Sequence, residues 1–201
     1  MTEVAAIILA AGLSRRMGTQ NKLLLPVGAV PMIRHVVLQY RMALSGPITV
    51  VTGHDAPDVT AALAGIDVEC VFNPIYADGQ QSSVAWGLAH CPNADVVLIG
   101  LGDQPQLLSE DITALLAAHY VGDPGKISIP MHNGDRGNPI CVPAILRPRL
   151  TADPTRPGCM RFTREHPELV QRHVLNADGF YHDIDTPAAY AQLVKQEETY
   201  A

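Results

Sequence analysis

The chain has 201 residues, 47% of them hydrophobic and 17% charged, which suits one soluble globular domain over residues 1–201 with room for a sizeable core. A formal net charge of −6 sets the overall field against polyanions, so neither nucleic acid nor an anionic membrane is expected as a partner. The apolar run from Val4 to Ala10 is too short to span a bilayer and leads into Arg15-Arg16 rather than a small-residue cleavage site, so a cytoplasmic protein is expected.

Taken in chain order, short and nearly continuous apolar runs predict strands at Val4 to Leu9, Ile48 to Thr52, Val68 to Phe72, Val96 to Gly100 and Ile127 to Pro130. Each ends in Gly, Asn, Asp or Pro, the pattern of strands buried on both faces. Between them, helical periodicity predicts helices at Met32 to Met42 behind Pro31, at Ala56 to Leu63, at Ser82 to Ala89, and at Glu110 to His119 with Ser109 as N-cap. Strand and helix in alternation imply an α/β fold, a three-layer Rossmann-like arrangement on a mostly parallel mixed sheet. The four cysteines stand far apart without metal-site spacing and are expected as reduced, buried thiols. The eight histidines form no H-E-x-x-H and no paired helical spacing, so no zinc site is indicated.

In such a sheet, ligands bind beyond the carboxyl ends of the strands. After the first strand comes LAAGLSRRMGTQNKLLLP, Leu9 to Pro26. Gly12 and Gly18 bracket five residues rather than the four of a Walker A loop, and Ser14 occupies the second glycine position of a dinucleotide fingerprint. The small residues Ala10, Ala11 and Gly12 let a ligand approach the backbone, while Arg15, Arg16 and Lys22 supply positive charge suited to a triphosphate. After the fourth strand comes Asp103 in GLGDQPQL, and near the end come Asp183 and Asp185 in YHDIDTP. Facing a polyphosphate loop, Asp103 is a candidate ligand for Mg2+, which takes oxygens from one or two carboxylates plus phosphates. Asp185 is open to two readings, a second ligand or, like Asp183, a cap for a last helix begun by Pro187.

These segments, with GQQSSVAWGL, GDQP, RGNP and DIDTP following in order, are similar to the nucleotidyltransferases that activate molybdopterin, and most similar to the molybdenum cofactor cytidylyltransferases. The resemblance implies a nucleotidyltransferase fold, an NTP with Mg2+, and transfer of a nucleotidyl group to the terminal phosphate of molybdopterin with release of pyrophosphate. Leu9-Ala10-Ala11-Gly12 resembles the CTP-using branch, where the GTP-using relatives tend to read L-A-G-G. It further implies that Arg16 and Lys22 meet the triphosphate and that Asp103 and Asp185 hold the metal. Leu9, Ala10, Ala11, Gly12 and Arg15, with Gln81, Ser82 and Ser83, would bind the nucleotide. Two positions depart from the pattern: Ser14 stands where glycine is common, and Asn21 where proline is common.

The acceptor side is carried by fewer residues. Arg136 in HNGDRGNP is either part of an acceptor loop or of an ordinary hairpin turn. The arginines Arg147, Arg149, Arg156, Arg161, Arg164 and Arg172 form a local basic excess that reads as an anionic-ligand or partner surface, or as helix faces paired with Glu165 and Glu168. Trp86 lies on an apolar helical stripe and is expected in the core rather than as a stacking platform. Beside the cytidylyltransferase, which would also hand its product to a target molybdoenzyme, stand two alternatives. One is a nucleotidyltransferase for another phosphorylated acceptor, such as a GTP-dependent molybdopterin enzyme or one acting on a sugar phosphate or phospholactate. The other is a non-catalytic nucleotide or cofactor carrier.

Overall fold

The computed structural model describes residues 2–152 and 158–200. Strand β1 (Val4–Ala10) leads to a small hairpin of β2 (Pro26–Val27) and β3 (Val30–Pro31), then α1 (Met32–Ala43), β4 (Ile48–Thr52), α2 (Ala56–Ala62), β5 (Glu69–Phe72) and α3 (Gln80–His90). There follow β6 (Val96–Leu101), α4 (Ser109–Val121), β7 (Ile127–His132), β8 (Asp135–Arg136), β9 (Ile140–Pro143), α5 (Arg147–Leu150), α6 (Cys159–Glu165), β10 (Val170–Val174) and α7 (Pro187–Tyr200). Eight strands form the main sheet in the order β10-β7-β9-β6-β1-β4-β5, with β8 paired to β7. Strands β6, β1, β4 and β5 run parallel, as do β10 and β7, whereas β9 is antiparallel to both of its neighbours.

All five expected strands form, and the side-chain alternation of β1 shows why its sequence is apolar throughout. Ala6, Ile8 and Ala10 join a core with Val36, Val37 and Tyr40 of α1 and Ile112 and Leu115 of α4. Ala5 and Ile7 face the other way, into a core with Val84 and Leu88 of α3 and Phe162 of α6. A strand with helices on both faces has no polar side, and the result is the three-layer α/β architecture. Gly87 lets α3 lie close on the sheet, because a Cβ there would press on Ile7 and Val51.

Four local expectations need correction. Helix α3 begins at Gln80, two residues before Ser82. Ser109 is the first residue of α4 rather than its N-cap; the cap position is Leu108, whose N–H donates to the Asp111 carboxylate at 3.0 Å. Strands β9 and β10 were not anticipated. The thiols are free, but Cys70 is only half-buried while Cys91, Cys141 and Cys159 are buried.

Helix α7, begun by Pro187 as expected, docks through a third small core of Val27, Met32, Ile184 and Leu193. Tyr190 Oη donates to the carbonyl of Pro26 at 2.7 Å. This docking lays the chain from Phe180 to Thr186 across the carboxyl ends of β1 and β6, where it delivers Asp183 and Asp185. No described helix is long and apolar enough to cross a membrane.

Candidate nucleotide and metal site

The loop after β1 is shaped by side chains rather than by glycine alone. Ser14 adopts the left-handed region at φ 49°, a conformation that costs an L-residue about 1–2 kcal/mol without local hydrogen bonding. Here its hydroxyl accepts from Lys22 N at 3.3 Å and donates to Asn21 Oδ1 at 3.4 Å. Asn21 caps the short 3-10 turn Lys22–Leu24 by accepting from Leu23 N at 3.1 Å, and its amide donates to Asp55 Oδ2 at 3.3 Å, just beyond β4. Those contacts aim Lys22 into the space between the strand ends.

There Lys22 meets Asp103, just after β6, and Asp185, in the segment leading to α7, at once. Its Nζ donates to Asp103 Oδ2 and to Asp185 Oδ1, the latter at 2.6 Å, while Arg16 Nη2 reaches Asp185 Oδ2 at 2.6 Å. The strap is tied to the strand by Ile184 N donating to the carbonyl of Asp103 at 2.9 Å. The Lys22 and Asp103 side chains are only 11% and 16% exposed, whereas Arg16 is 68% exposed. Burial pushes the Asp103 carboxyl above its ordinary range, against the pull of Lys22. Burial acts in the same sense on Asp185, but the Lys22 hydrogen bond and the charges of Lys22 and Arg16 outweigh it and bring its carboxyl below the usual value. Burial alone would depress Lys22; the two aspartates raise it instead.

The residues present fit a divalent cation. Asp103, Asp183 and Asp185 each offer a carboxylate oxygen, all within 4.8 Å of one another. Asp103 Oδ1 is buried without a hydrogen-bond partner, and a buried carboxylate oxygen left so is costly unless a cation or donor reaches it. Hard oxygen donors of this kind suit Mg2+ or Mn2+.

A cleft of about 590 Å³ lies above this cluster, walled by Gly12, Arg15, Arg16, Lys22, Gln80 and Ser83 among others. Leu9 and Ala11 also line it, and Ala10 is buried in the strand end. Of the three residues expected on the α3 side, Ser83 lines the cleft, while Gln81 and Ser82 border a separate cavity of about 1210 Å³ along α3. Ser82 Oγ donates to the carbonyls of Ile75 and Gly79 and accepts from Asn73, so it braces the turn into α3. Asn73, fully buried after β5, donates to both serines and accepts from Ile75 N. The sequence reading missed Asn73 and the carboxylate role open to Asp183. The signal available for Asn73 was its place directly after a strand.

The acceptor-side candidates separate in space. Arg136 lies in a tight hairpin, β7 to β8, turned by Asn133 and Gly134 at positive φ. Arg147 donates to the carbonyls of Leu88, Cys91 and Pro92 and so closes the C-terminal end of α3. Arg149 lies over the Phe162 ring, and Arg161 pairs with Glu165. Arg156 lies outside the described residues. Trp86 packs only partly into the core; it stacks on His90 at 4.6 Å and faces the larger cavity.

With loop, lysine and carboxylates in place, comparison with known proteins becomes informative. The family model described as a MobA-like NTP transferase domain matches residues 6–170. The chain belongs to the MobA-like NTP transferase family. It is 27% identical over 191 residues to the nicotine blue oxidoreductase of Paenarthrobacter nicotinovorans, covering 91% of this chain and 92% of that protein. It is 34% identical over 142 residues to the bifunctional protein GlmU of Xanthomonas campestris, covering 70% of this chain but only 30% of GlmU's length. Among solved structures, a nucleotidyl transferase from Methanothermobacter thermautotroptrophicus superposes with a TM-score of 0.82 over 99% of both chains at 23% identity, a likeness of fold. The family match places the chain among the nucleotidyltransferases of the MobA-like type, and the structural likeness shows that it shares their fold.

Proposed function

We propose that the chain transfers CMP from CTP to the terminal phosphate of molybdopterin, releasing pyrophosphate. The observation that carries this reading is the Lys22 ammonium held between Asp103 and Asp185 on the floor of a cleft roofed by the Gly12–Arg16 loop. Carboxylates and cations gathered at one strand end serve a reaction in which two anions must meet, an attacking phosphate oxygen and the α-phosphate.

Asp103 and Asp185, joined by Asp183, would hold Mg2+, which when bound neutralises phosphate charge and orients the leaving group. Arg16 and Lys22 bind the triphosphate, with Lys22 turning from the carboxylates to the phosphates as the nucleotide enters. Leu9, Ala10, Ala11 and Gly12 place base and ribose through their backbone. Ser83 and Arg15 lie in the same wall; Gln81 and Ser82 shape that wall from behind. A cation about 4 Å from a phosphate gains ~1 kcal/mol in water but about 4 kcal/mol at an effective dielectric near 20. The buried floor therefore makes Lys22 the stronger contributor and exposed Arg16 the weaker.

The test is pyrophosphate release from the pure protein with Mg2+, each NTP in turn, and molybdopterin or a sugar phosphate as acceptor. Release with CTP and molybdopterin alone is the expected result. Release with GTP instead overturns the base assignment, and release only with the sugar phosphate overturns the acceptor. A parallel arm with nicotine blue and a chemical reductant reads the redox reaction after which the Paenarthrobacter relative is named. Turnover there with no pyrophosphate under any condition would remove the transferase reading.

A further inference from the structure

The charge around the β7–β8 hairpin is not balanced. Arg136, opposite Met131 in that hairpin, is half-buried, and its Nη1 donates to Thr163 Oγ1 of α6 at 2.6 Å. Thr163 is itself buried and gives its own proton to the carbonyl of Cys159 at 2.8 Å. The guanidinium thus rests on a neutral hydroxyl. Two further arginines flank it: Arg164 follows Thr163 on α6, and Arg172 on β10 pairs in register with Ile129 of β7, two residues from Met131, the partner of Arg136; after burial itself, with the Cys159 thiol acting in the opposite sense, their like charges work against the charged form of Arg136. Among the described residues none of the three makes an ion pair with a carboxylate. Asp135 is adjacent in sequence, but along a strand successive side chains leave opposite faces, and its charge is felt by Tyr181 instead. Arginine does not shed its proton to relieve such a position, so an uncompensated, partly buried guanidinium is a cost to the fold that only an anion removes.

The place of Arg136 says which anion. Gly137 lies against Phe180 and Tyr181 so closely that a Cβ would clash, and Asn138 N donates to the carbonyl of Phe180 at 2.9 Å. That backbone runs on into Asp183 and Asp185, with Ile184 bonded to Asp103. On its other side, α6 is preceded by Gly158, which packs on Gln81 at the separate cavity along α3. Arg136 therefore sits between the acidic strap and α6, at the carboxyl end of β7, yet outside the wall of the cleft above the carboxylates.

We propose that Arg136, with Arg164 and Arg172 around it, is the docking site for a phosphate or carboxylate group of the acceptor substrate. This rests on the nucleotidyl-transfer reading above. The planar guanidinium keeps free donors suited to a bidentate oxyanion, and an anion there would supply the missing counter-charge while pointing the acceptor at the metal carboxylates.

Inorganic phosphate is the probe, titrated by calorimetry and by thermal unfolding against the wild-type chain, Arg136→Met, and Arg16→Met as the triphosphate-loop control. The expected result is weak phosphate binding that raises the wild-type unfolding temperature, falls about tenfold or more in Arg136→Met, and persists in Arg16→Met. Without phosphate, Arg136→Met should unfold at the wild-type temperature or above it, because an unpaired charge has gone. Phosphate binding that survives Arg136→Met but is lost in Arg16→Met overturns the proposal. So does an unfolding temperature that drops in Arg136→Met, which would make the Thr163 contact structural. A CTP analogue that fails to bind while phosphate still depends on Arg136 strikes the nucleotidyl-transfer reading alone.

Discussion

Lys22→Met tests the central arrangement most directly, because the ammonium and a divalent cation compete for the same carboxylate oxygens. In the ligand-free protein Lys22 neutralises Asp103 and Asp185, with side chains 11%, 16% and 28% exposed respectively. Removing one partner of a buried ion pair costs about 3–5 kcal/mol. The partial exposure of Asp185, and its second contact with Arg16, place this case at the lower end, at about 3 kcal/mol. For a chain of this size that lowers the melting temperature by roughly 6–12 °C. The variant should also bind Mn2+ in the absence of nucleotide at least about tenfold more tightly than wild type, equivalent to about 1.4 kcal/mol, since no lysine has to leave first. Manganese should then restore much of the lost thermal stability by mass action. Electron paramagnetic resonance titration of free Mn2+, with calorimetric melts at fixed metal concentrations, reads both effects. Equal Mn2+ affinity in the two proteins, or a stability loss that metal leaves untouched, would refute the view that Lys22 holds the place of the cation.

Asn73→Ala removes three hydrogen bonds at the turn into α3, two of them fully buried; the chain should lose about 2–3 kcal/mol in denaturant titrations, and nucleotide affinity should fall because Ser83 loses its brace. Tyr40 is fully buried with its hydroxyl unpartnered against Gly100, so Tyr40→Phe should leave stability unchanged or raise it by up to about 1 kcal/mol, and a clear loss would show that the hydroxyl has a partner. His119 and His173 both bond the Ser128 hydroxyl, at 2.8 and 3.1 Å, and burial holds both below the ordinary histidine value. With the folded value below the unfolded one, their contribution is complete above about pH 6.5 and is lost as the pH falls below it. Melting temperature should therefore drop on acidification from pH 7 to pH 5, and His119→Gln should flatten that dependence; a slope unchanged by the substitution would assign it elsewhere.

What could be read from the sequence follows the physics of burial. Strands β1, β4 and β6 and the first four residues of β7 are buried on both faces, and such largely apolar runs announce themselves without any alternation. Strand β9 is equally buried, but Pro139 precedes it and Pro143 ends it, leaving three residues between prolines that read as loop punctuation. Strand β10, Val-Gln-Arg-His-Val, is an edge strand with polar residues in its middle, and nothing local separates it from a turn. The same division holds at the site. Arg16, Lys22 and Asp103 were singled out because segments after strands converge in any sheet of this type, and the structure brings them together with Asp185, for which a capping role was equally open. The third carboxylate was not, since Asp183 before a proline-started helix has an adequate local explanation as a cap. Its position is decided by the docking of α7 through Ile184 and Leu193, a tertiary event. In the basic segment one composition signal covered several jobs: Arg147 closes a helix, Arg149 covers a ring, Arg161 pairs with Glu165 as the helix-face reading expects, and the charges of Arg164 and Arg172 act on Arg136.

The two departures from the expected loop pattern, Ser14 for glycine and Asn21 for proline, explain each other. A glycine at position 14 would take the left-handed conformation freely, and a proline at position 21 would fix a φ near −65°. Ser14 reaches φ 49° and Asn21 φ −77° without those residues, and their side chains supply the restraint through one connected set of hydrogen bonds: Ser14 to Asn21, Ser14 to the Lys22 amide, Asn21 to the turn it caps and to Asp55. Rigidity that the common pattern obtains from backbone geometry is obtained here from buried polar contacts, and it is spent on the same object, the direction of Lys22. The link to Asp55 adds something that glycine and proline cannot provide. It couples the loop after β1 to the segment just beyond β4, so that the lysine is positioned relative to the sheet and not only to its own loop.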